Sequence, residues 1–413
     1  MIIKKLFYLV IVILILQVVK IASIKLNLAN SYLIGIIVIY LQTLSVFFPI
    51  VYYLISQLFR KARNASVKRV VVVTISIAII GCLEALTLYG LNHPEKIPAA
   101  FHRPYFYYYE KYDFKIIQID AEKAVYDPDL FYKLKPNTQF VFSNREFQDS
   151  FYINSMGLRD TERSLSAPEI ICLGDSYFMG WGVHQESTFA KLLEKKLSAR
   201  VLNAAVSSYG TARELALLKK LDTSRCKAIV IQYCANDWYE NRSYIANNYR
   251  LAISPLSLYE SRLKEEKQKQ FYLPGLHFAF ISQLFLKYTV NDIRPVFNLR
   301  LDREVKVSDE RKQAEDFLAI LLHHMNDFGP AHVYVTLMES FGRINNGIIE
   351  EMQTLINEPR FVALSGRVSF ITTRNLFKKE DYYFLDLHTK STAYEKLSTL
   401  VSDSILSRQT VIK

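Results

Sequence analysis

Ile170-Ile171-Cys172-Leu173-Gly174-Asp175-Ser176-Tyr177-Phe178-Met179-Gly180-Trp181-Gly182-Val183 is the stretch on which the reading of this chain turns. Its first four residues are all apolar, which predicts a short strand covered on both faces. Gly174 permits a sharp turn, and a helix start follows. Ser176 then stands at the carboxyl end of a strand, where open α/β sheets place their ligands. A hydroxyl there is accessible, and backbone N–H groups at the helix start can receive a developing oxyanion. A serine in that place is also an ordinary helix N-cap, so the decision falls to the rest of the chain.

Downstream, from about residue 168, strand and helix patterns alternate. A helix is expected at 187–198 and a strand at Val201 to Ala205. Thr211 is expected to cap a helix through Leu221, with Glu214 placed for a capping box. A strand at Ala228 to Tyr233 follows. Ser308 opens a helix to about Asp327, ended by Gly329-Pro330. Strands at Ala331 to Leu337 and Val368 to Thr372 come next, then a helix at 392–407. This spacing predicts a three-layer α/β/α sandwich around a central parallel sheet.

Three more stretches fall at or just past predicted strand ends: Asn203-Ala204-Ala205-Val206-Ser207-Ser208-Tyr209-Gly210-Thr211, Ala235-Asn236-Asp237 and Asp386-Leu387-His388. Together with Gly174-Asp175-Ser176 they supply a nucleophile, a turn of backbone N–H donors, a side-chain amide, and an imidazole with a carboxylate. Acyl transfer through a serine needs that set.

Taken in this order across about 168–413, the four stretches resemble those of the SGNH/GDSL hydrolase family. The lead-in Asn154-Ser155-x-Gly157-x-Arg159 resembles the segment before the domain in some members. The resemblance implies a flavodoxin-like sandwich with Ser176 as nucleophile, His388 as general base and Asp386 orienting His388. It also implies an oxyanion hole built from the Ser176 N–H, an N–H of the second stretch at Ser208 or Gly210, and the Asn236 amide.

The sequence departs from the family pattern in three places. The second-block glycine falls on Ser208, which keeps its N–H but suits the turn only if φ need not be positive. Cys234 replaces the glycine that usually opens the third block. The last block reads Asp-x-His where the family has Asp-x-x-His, so a backbone carbonyl or Asp381 remains an alternative partner for His388.

The remainder of the 413 residues organises around a different solvent. Half of the chain is hydrophobic, and three apolar runs, 6–24, 32–58 and 70–91, stand near its start. They are expected to be transmembrane helices, the second kinked at Pro49. The net charge is +11, and residues 1–92 hold nine Lys/Arg against the single acid Glu84, so +8 of it lies there. This basic excess flanks membrane spans and gives no nucleic-acid surface. Arg60, Lys61, Arg63, Lys68 and Arg69 mark the loop between the second and third runs as cytoplasmic. The N-terminus with Lys4 and Lys5 is then cytoplasmic as well, and everything after residue 92 lies outside the cytoplasm. Lys20 is expected to snorkel to the interface. Glu84, near the outer end of its span, is a candidate for an interfacial or helix-packing role as much as a functional one.

The expected organisation is a membrane domain at 1–92, an aromatic lead-in at 93–167 with short strands at 138–143 and 149–153, and a catalytic domain at 168–413. A helical insertion at about 240–307 interrupts the last. Its apolar run Leu276 to Leu286 is too short to span a bilayer; it could be a lid, a membrane-surface helix or plain core, with core the default. Four cysteines give neither a disulfide framework nor a metal spacing. No cofactor is implied, and His277, His323, His324 and His332 lack metal-ligand spacing.

Two functions follow as expectations. The first is a membrane-anchored, extracytoplasmic serine esterase or O-acyltransferase acting on acyl esters, acetyl above all, of cell-surface glycans. A transferase would need an acyl donor from a separate membrane protein. The second is an inactive module of the same fold that binds glycan or scaffolds a polysaccharide modification or export assembly.

Overall fold

The computed structural model describes residues 2–25, 31–293, 309–341 and 345–412. They group into two compact units, Met1–Phe114 with Lys264–Arg303, and Lys115–Leu263 with Glu304–Lys413. The expected lead-in at 93–167 is therefore shared between the units. Part of the expected insertion belongs to the first unit.

The first unit opens with three long helices, α1 (Ile2–Lys25), α2 (Ser31–Leu58) and α3 (Ala65–Asn92), followed by α4 (Ala99–Tyr108). Stretches Tyr32–Leu58 and Ala65–Asn92 are long and apolar enough to cross a membrane, and the apolar stretch of α1, Ile11–Ser23, is shorter. Two candidate spans are thus evident where the sequence led us to expect three.

The second unit begins with two antiparallel hairpins; the second falls on the short strands expected at 138–143 and 149–153, and the first was not expected. One pairs β1 (Ala124–Asp127) with β2 (Phe131–Leu134), the other β3 (Thr138–Asn144) with β4 (Phe147–Ile153). The α/β part then runs β5 (Ile170–Leu173), α5 (Ser176–Met179), α6 (Phe189–Leu197), β6 (Val201–Asn203), α7 (Thr211–Leu218), β7 (Ala228–Tyr233), α8 (Asp237–Ala246). After α9 (Leu256–Gln268) and α10 (Leu276–Ile293) come α11 (Glu310–His323), β8 (His332–Leu337), α12 (Gly347–Leu355), β9 (Val368–Ile371) and α13 (Ser391–Ile412).

The five strands β6-β5-β7-β8-β9 form one sheet, parallel throughout. Every residue of β5, β6 and β7 is buried, which accounts for their mostly apolar composition, broken only at Asn203 and Gln232. Ile171, Leu173, Ile229, Ile231, Val333 and Val335 face a core shared with Leu215 of α7, Phe317 and Leu321 of α11, and Met352 of α12. Helices α6 and α13 pack together and also hold contacts with β6 and β9. Burying each large aliphatic or Phe side chain contributes about 1.5–3 kcal/mol, so this sheet dominates the stability of the unit.

Local details differ from expectation. Gly210, and not Thr211, occupies the N-cap of α7, and the helix ends at Leu218. Glu214 forms no capping box: it is fully buried, with no hydrogen bond at either carboxylate oxygen. Asp309 caps α11, accepting from the Lys312 N–H at 3.0 Å, while the expected cap Ser308 lies outside the described residues. Cys172, Cys226 and Cys234 are free and buried.

The apolar run Leu276 to Leu286 is not core of the α/β unit. It belongs to the first unit as α10, which runs antiparallel to α2. Phe278 meets Phe47 with ring centroids 5.1 Å apart, and Gln283 Nε2 donates to the Ile39 carbonyl at 3.0 Å. The chain enters α10 through Gly275, at φ 89°, and its polar atoms find partners inside the unit. Tyr40 Oη donates to the Pro274 carbonyl at 2.9 Å. Glu84 of α3 accepts the Phe278 N–H at 2.9 Å and contacts His277 Nδ1 at 2.7 Å. A carboxylate at a helix N-terminus satisfies an orphan donor and complements the helix dipole.

Candidate active site

Strand β5 delivers Gly174 and Asp175 to a tight turn, and Ser176 opens the four-residue helix α5. Asp175 is its N-cap and accepts the Tyr177 N–H at 2.9 Å. Burial pushes the Asp175 carboxyl up to about 6, opposed by that N–H and by the nearby His388. A Cβ at Gly174 would stand 2.6 Å from Gln232 Oε1, so glycine alone fits there. Gln232 in turn accepts the Asp175 N–H at 3.0 Å.

Ser176 Oγ lies 2.8 Å from His388 Nε2, across 212 residues of sequence. His388 Nδ1 lies 2.5 Å from Asp386 Oδ1. The second oxygen of Asp386 accepts from the Trp181 indole N–H at 3.2 Å and from the Asn144 amide at 3.5 Å. The His388 ring stacks on Trp181 at 5.0 Å and lies 4.8 Å from the Tyr177 ring. The Asp386 side chain is 0% exposed and that of His388 14%.

The short Asp-x-His spacing has a backbone explanation. Leu387 adopts φ 61°, a left-handed conformation that a leucine enters at a cost of about 1–2 kcal/mol. In an extended segment, residues 386 and 388 would lie on one face but point in parallel. The left-handed residue between them tightens the turn, so the carboxylate meets the ring edge. The cost is met by Glu146, at the tip of the β3–β4 hairpin. Its carboxylate accepts three consecutive N–H groups, from Phe384, Leu385 and Asp386, at 2.7, 2.7 and 2.8 Å. Burial raises the Glu146 carboxyl despite those donors. Asp381, the alternative partner for His388, is occupied elsewhere by Lys396 at 2.5 Å and Thr392 at 2.7 Å.

Arg159 of the lead-in is 1% exposed and ties the same region together. Its guanidinium donates to carbonyls of Ser150, Val183 and Gly180 and lies 3.6 Å from the Phe151 ring centroid. Burial pulls it down to about 10. Gly180 and Gly182 take φ 90° and 71°, and the loop they shape holds Trp181 against Asp386.

The proposed oxyanion donors are less uniformly placed. Ser208 has φ 60°, so the turn does require a positive φ and serine stands in a glycine-type position. Gln118 clasps it, donating to Ser208 Oγ at 2.9 Å and accepting from Ser207 Oγ at 3.2 Å. The Gly210 N–H faces the Glu240 carboxylate, whose Oε1 lies 3.1 Å from where a Cβ would stand. Asn236, at the head of α8, is exposed. Its neighbour Asp237 is buried and accepts from the Cys234 N–H and Thr211 Oγ1, both at 3.3 Å.

The fold thus brings Ser176, His388 and Asp386 into one hydrogen-bonded chain. Sequence reasoning missed Glu146, Asn144, Gln118 and the indole bond of Trp181. Trp181 carried a signal, flanked by two glycines beside the serine. Glu146, an isolated acid in a short turn, carried none. Among the described residues, no group of three or more His, Cys, Asp or Glu is arranged to hold a metal ion.

No protein-family model matches the sequence, and no curated protein does either. Among solved structures, the chain is similar to a GDSL-like lipase from Bacteroides thetaiotaomicron at 10% identity and TM-score 0.31, over 60% of this chain and 91% of that one. It is similar to a lipase from a goat rumen metagenome at 18% identity and TM-score 0.30, over 56% of this chain and 94% of that one. It is also similar to a carbohydrate esterase family 2 enzyme of Corynascus at 13% identity and TM-score 0.31, over 58% of this chain and 65% of that one.

Proposed function

We propose that this chain is a membrane-anchored serine esterase or O-acyltransferase of the SGNH type, acting outside the cytoplasm on acyl esters of cell-surface glycans. The observation that carries the chemistry is the hydrogen-bonded chain from Ser176 through His388 to Asp386. In this reading His388 Nε2 takes the Ser176 proton as Oγ attacks the ester carbonyl. Asp386 holds Nδ1–H and stabilises the imidazolium. The tetrahedral oxygen is received by the Ser176 and Ser208 N–H groups and the Asn236 amide. Gly210, facing Glu240, is left out of that set. His388 then returns the proton to the leaving alcohol, and water or a sugar hydroxyl resolves the acyl-enzyme.

Anchoring rests on α2 and α3 as spans, with the shorter apolar stretch of α1 read as a third. The cationic loop at 60–69 is then cytoplasmic, and the catalytic unit faces outward. Reporters fused after residues 66 and 413 test this. A cytoplasmic signal from the second fusion would exclude a cell-surface substrate. For the chemistry, full-length protein is treated with a fluorophosphonate probe and with p-nitrophenyl acetate, beside Ser176→Ala and His388→Ala. Labelling lost in Ser176→Ala, with hydrolysis lost in both, supports the reading. A folded protein that never labels would point to the inactive binding or scaffold module, which the strained Ser208 and the engaged Gly210 favour.

A further inference from the structure

Within the first unit, a cavity of ≈ 620 Å³ opens where α1, α2, α10 and the short π-helical turn Tyr109–Asp113 converge. Three lysines line it, each from a different element: half-buried Lys20 of α1, and Lys111 of the turn and Lys287 of α10 at its exposed rim. Lys111 and Lys287 are close enough to act electrostatically on Lys20. Glu110 also lines the cavity, yet none of the three lysines forms an ion pair with it or with any other carboxylate among the described residues. Gly35 on α2 makes room for the stem of Lys20, whose Cε would lie 4.0 Å from a Cβ there. Aromatic rings complete the wall: Tyr107 stacks on Tyr288 at 4.7 Å, and the Arg103 guanidinium lies 4.3 Å from the Tyr288 centroid.

Like charges repel, and three converging cations with one unengaged carboxylate leave a net positive hollow. A lone lysine near a helix end snorkels to water. Three lysines from separate elements around one cavity, one of them half-buried, form a site suited to an anion. The membrane placement proposed above, on which this rests, sets the cavity at the outer end of the spans. Lys20 is five residues from the end of α1, and the turn lies beyond α3. The volume suits a headgroup, and the tyrosines suit the interfacial layer.

We infer that this cavity is a binding site for the phosphate of an anionic ligand at the outer membrane interface, held by Lys20, Lys111 and Lys287. The site is independent of Ser176. Its source is a phospholipid headgroup or a free phosphate.

The test uses full-length protein, delipidated in mild detergent and followed by native mass spectrometry with phosphatidylglycerol, with phosphatidylcholine, and with excess inorganic phosphate as competitor. The wild type should retain phosphatidylglycerol over phosphatidylcholine. Each lysine replaced by glutamine should weaken that retention about fivefold, the worth of one cation near an anionic surface. Lys20→Gln/Lys111→Gln/Lys287→Gln should therefore abolish the preference, and the corresponding arginine triple should keep it. Displacement by inorganic phosphate assigns the site to free phosphate, whereas resistance assigns it to the lipid headgroup. A wild type without preference and without phosphate binding overturns the proposal, whatever the variants do. So does loss of equal size in Lys61→Gln/Lys68→Gln, since those residues lie in the loop between α2 and α3. The reporter fusions fail independently if the membrane placement is wrong.

Discussion

Replacing Asp386 by asparagine tests the proposed relay most directly, because the structure leaves the amide no good orientation. Asp386 accepts on both oxygens, from His388 on one side and from Trp181 and Asn144 on the other. An amide has one acceptor and one donor group. If its oxygen faces His388, its NH₂ opposes the buried Trp181 N–H, a mismatch of about 1–3 kcal/mol. If its NH₂ faces His388, the imidazole carries its proton on Nε2 and cannot take one from Ser176. Either way the imidazolium loses a carboxylate. At a charge separation of about 4 Å and an effective dielectric of 20, that attraction is about 4 kcal/mol. Little solvent screens it, with the Asp386 side chain fully buried. Four kcal/mol corresponds to about three decades of rate. We expect kcat/KM for p-nitrophenyl acetate to fall about 10³-fold in Asp386→Asn, with Tm lowered only modestly. A loss below about tenfold, in a sample where Ser176→Ala is inactive, would refute the assignment and leave His388 oriented by other means.

Glu146→Gln should slow hydrolysis and lower stability by about 2–3 kcal/mol, since an amide cannot accept all three N–H groups of Phe384 to Asp386; kinetics with calorimetry will show it. Ser208→Gly should stay within about 1 kcal/mol of wild type and remain active, because relieved left-handed strain offsets the lost Gln118 bond. Ser208→Val should lose about 2 kcal/mol or more, a β-branched residue being ill suited to φ 60°. Asp175 provides a pH signature. Its folded carboxyl titrates at about 6 against an ordinary 3.8, so the folded state holds the proton longer. Stability from this group is fully present below pH 3.8 and is lost as pH rises through 6, by about 3 kcal/mol at 1.36 kcal/mol per unit. In denaturant titrations, Asp175→Asn should lack that decline between pH 4 and 6, and an unchanged slope would count against it.

The five strands were legible because a parallel sheet covered on both faces favours apolar runs such as Ile170 to Leu173 and Ala228 to Ile231. That Ser176, His388 and Asp386 belong together was suggested by residue type, order and family resemblance, and the fold groups them. What holds them was not legible. Glu146 acts through backbone N–H groups of Phe384 to Asp386, and such a bond places no demand on the partner's side chain. The left-handed Leu387 was equally silent, since nothing in leucine announces a positive φ. Ser208 was half legible: the missing glycine was visible, but the φ that makes its absence costly was not. The capping box expected at Thr211 and Glu214 failed because burial overrode a local pattern. The start of helix α10 is buried as expected of core, but the helix packs against α2 and α3, from more than 180 residues earlier, and hydropathy cannot tell which unit a buried segment joins.

The wide separation of Ser176 from His388 also sets a schedule. Translation at about 5–20 residues per second puts roughly 10–40 s between the two residues. Through that interval the serine is an ordinary alcohol, with no base to deprotonate it. On the proposed mechanism, competence waits until the Asp-Leu-His turn has emerged and the N–H groups of Phe384 to Asp386 have settled on Glu146. On the proposed topology and mechanism, the nascent protein therefore leaves the ribosome inert and becomes reactive only when the whole domain is assembled on its far side of the membrane.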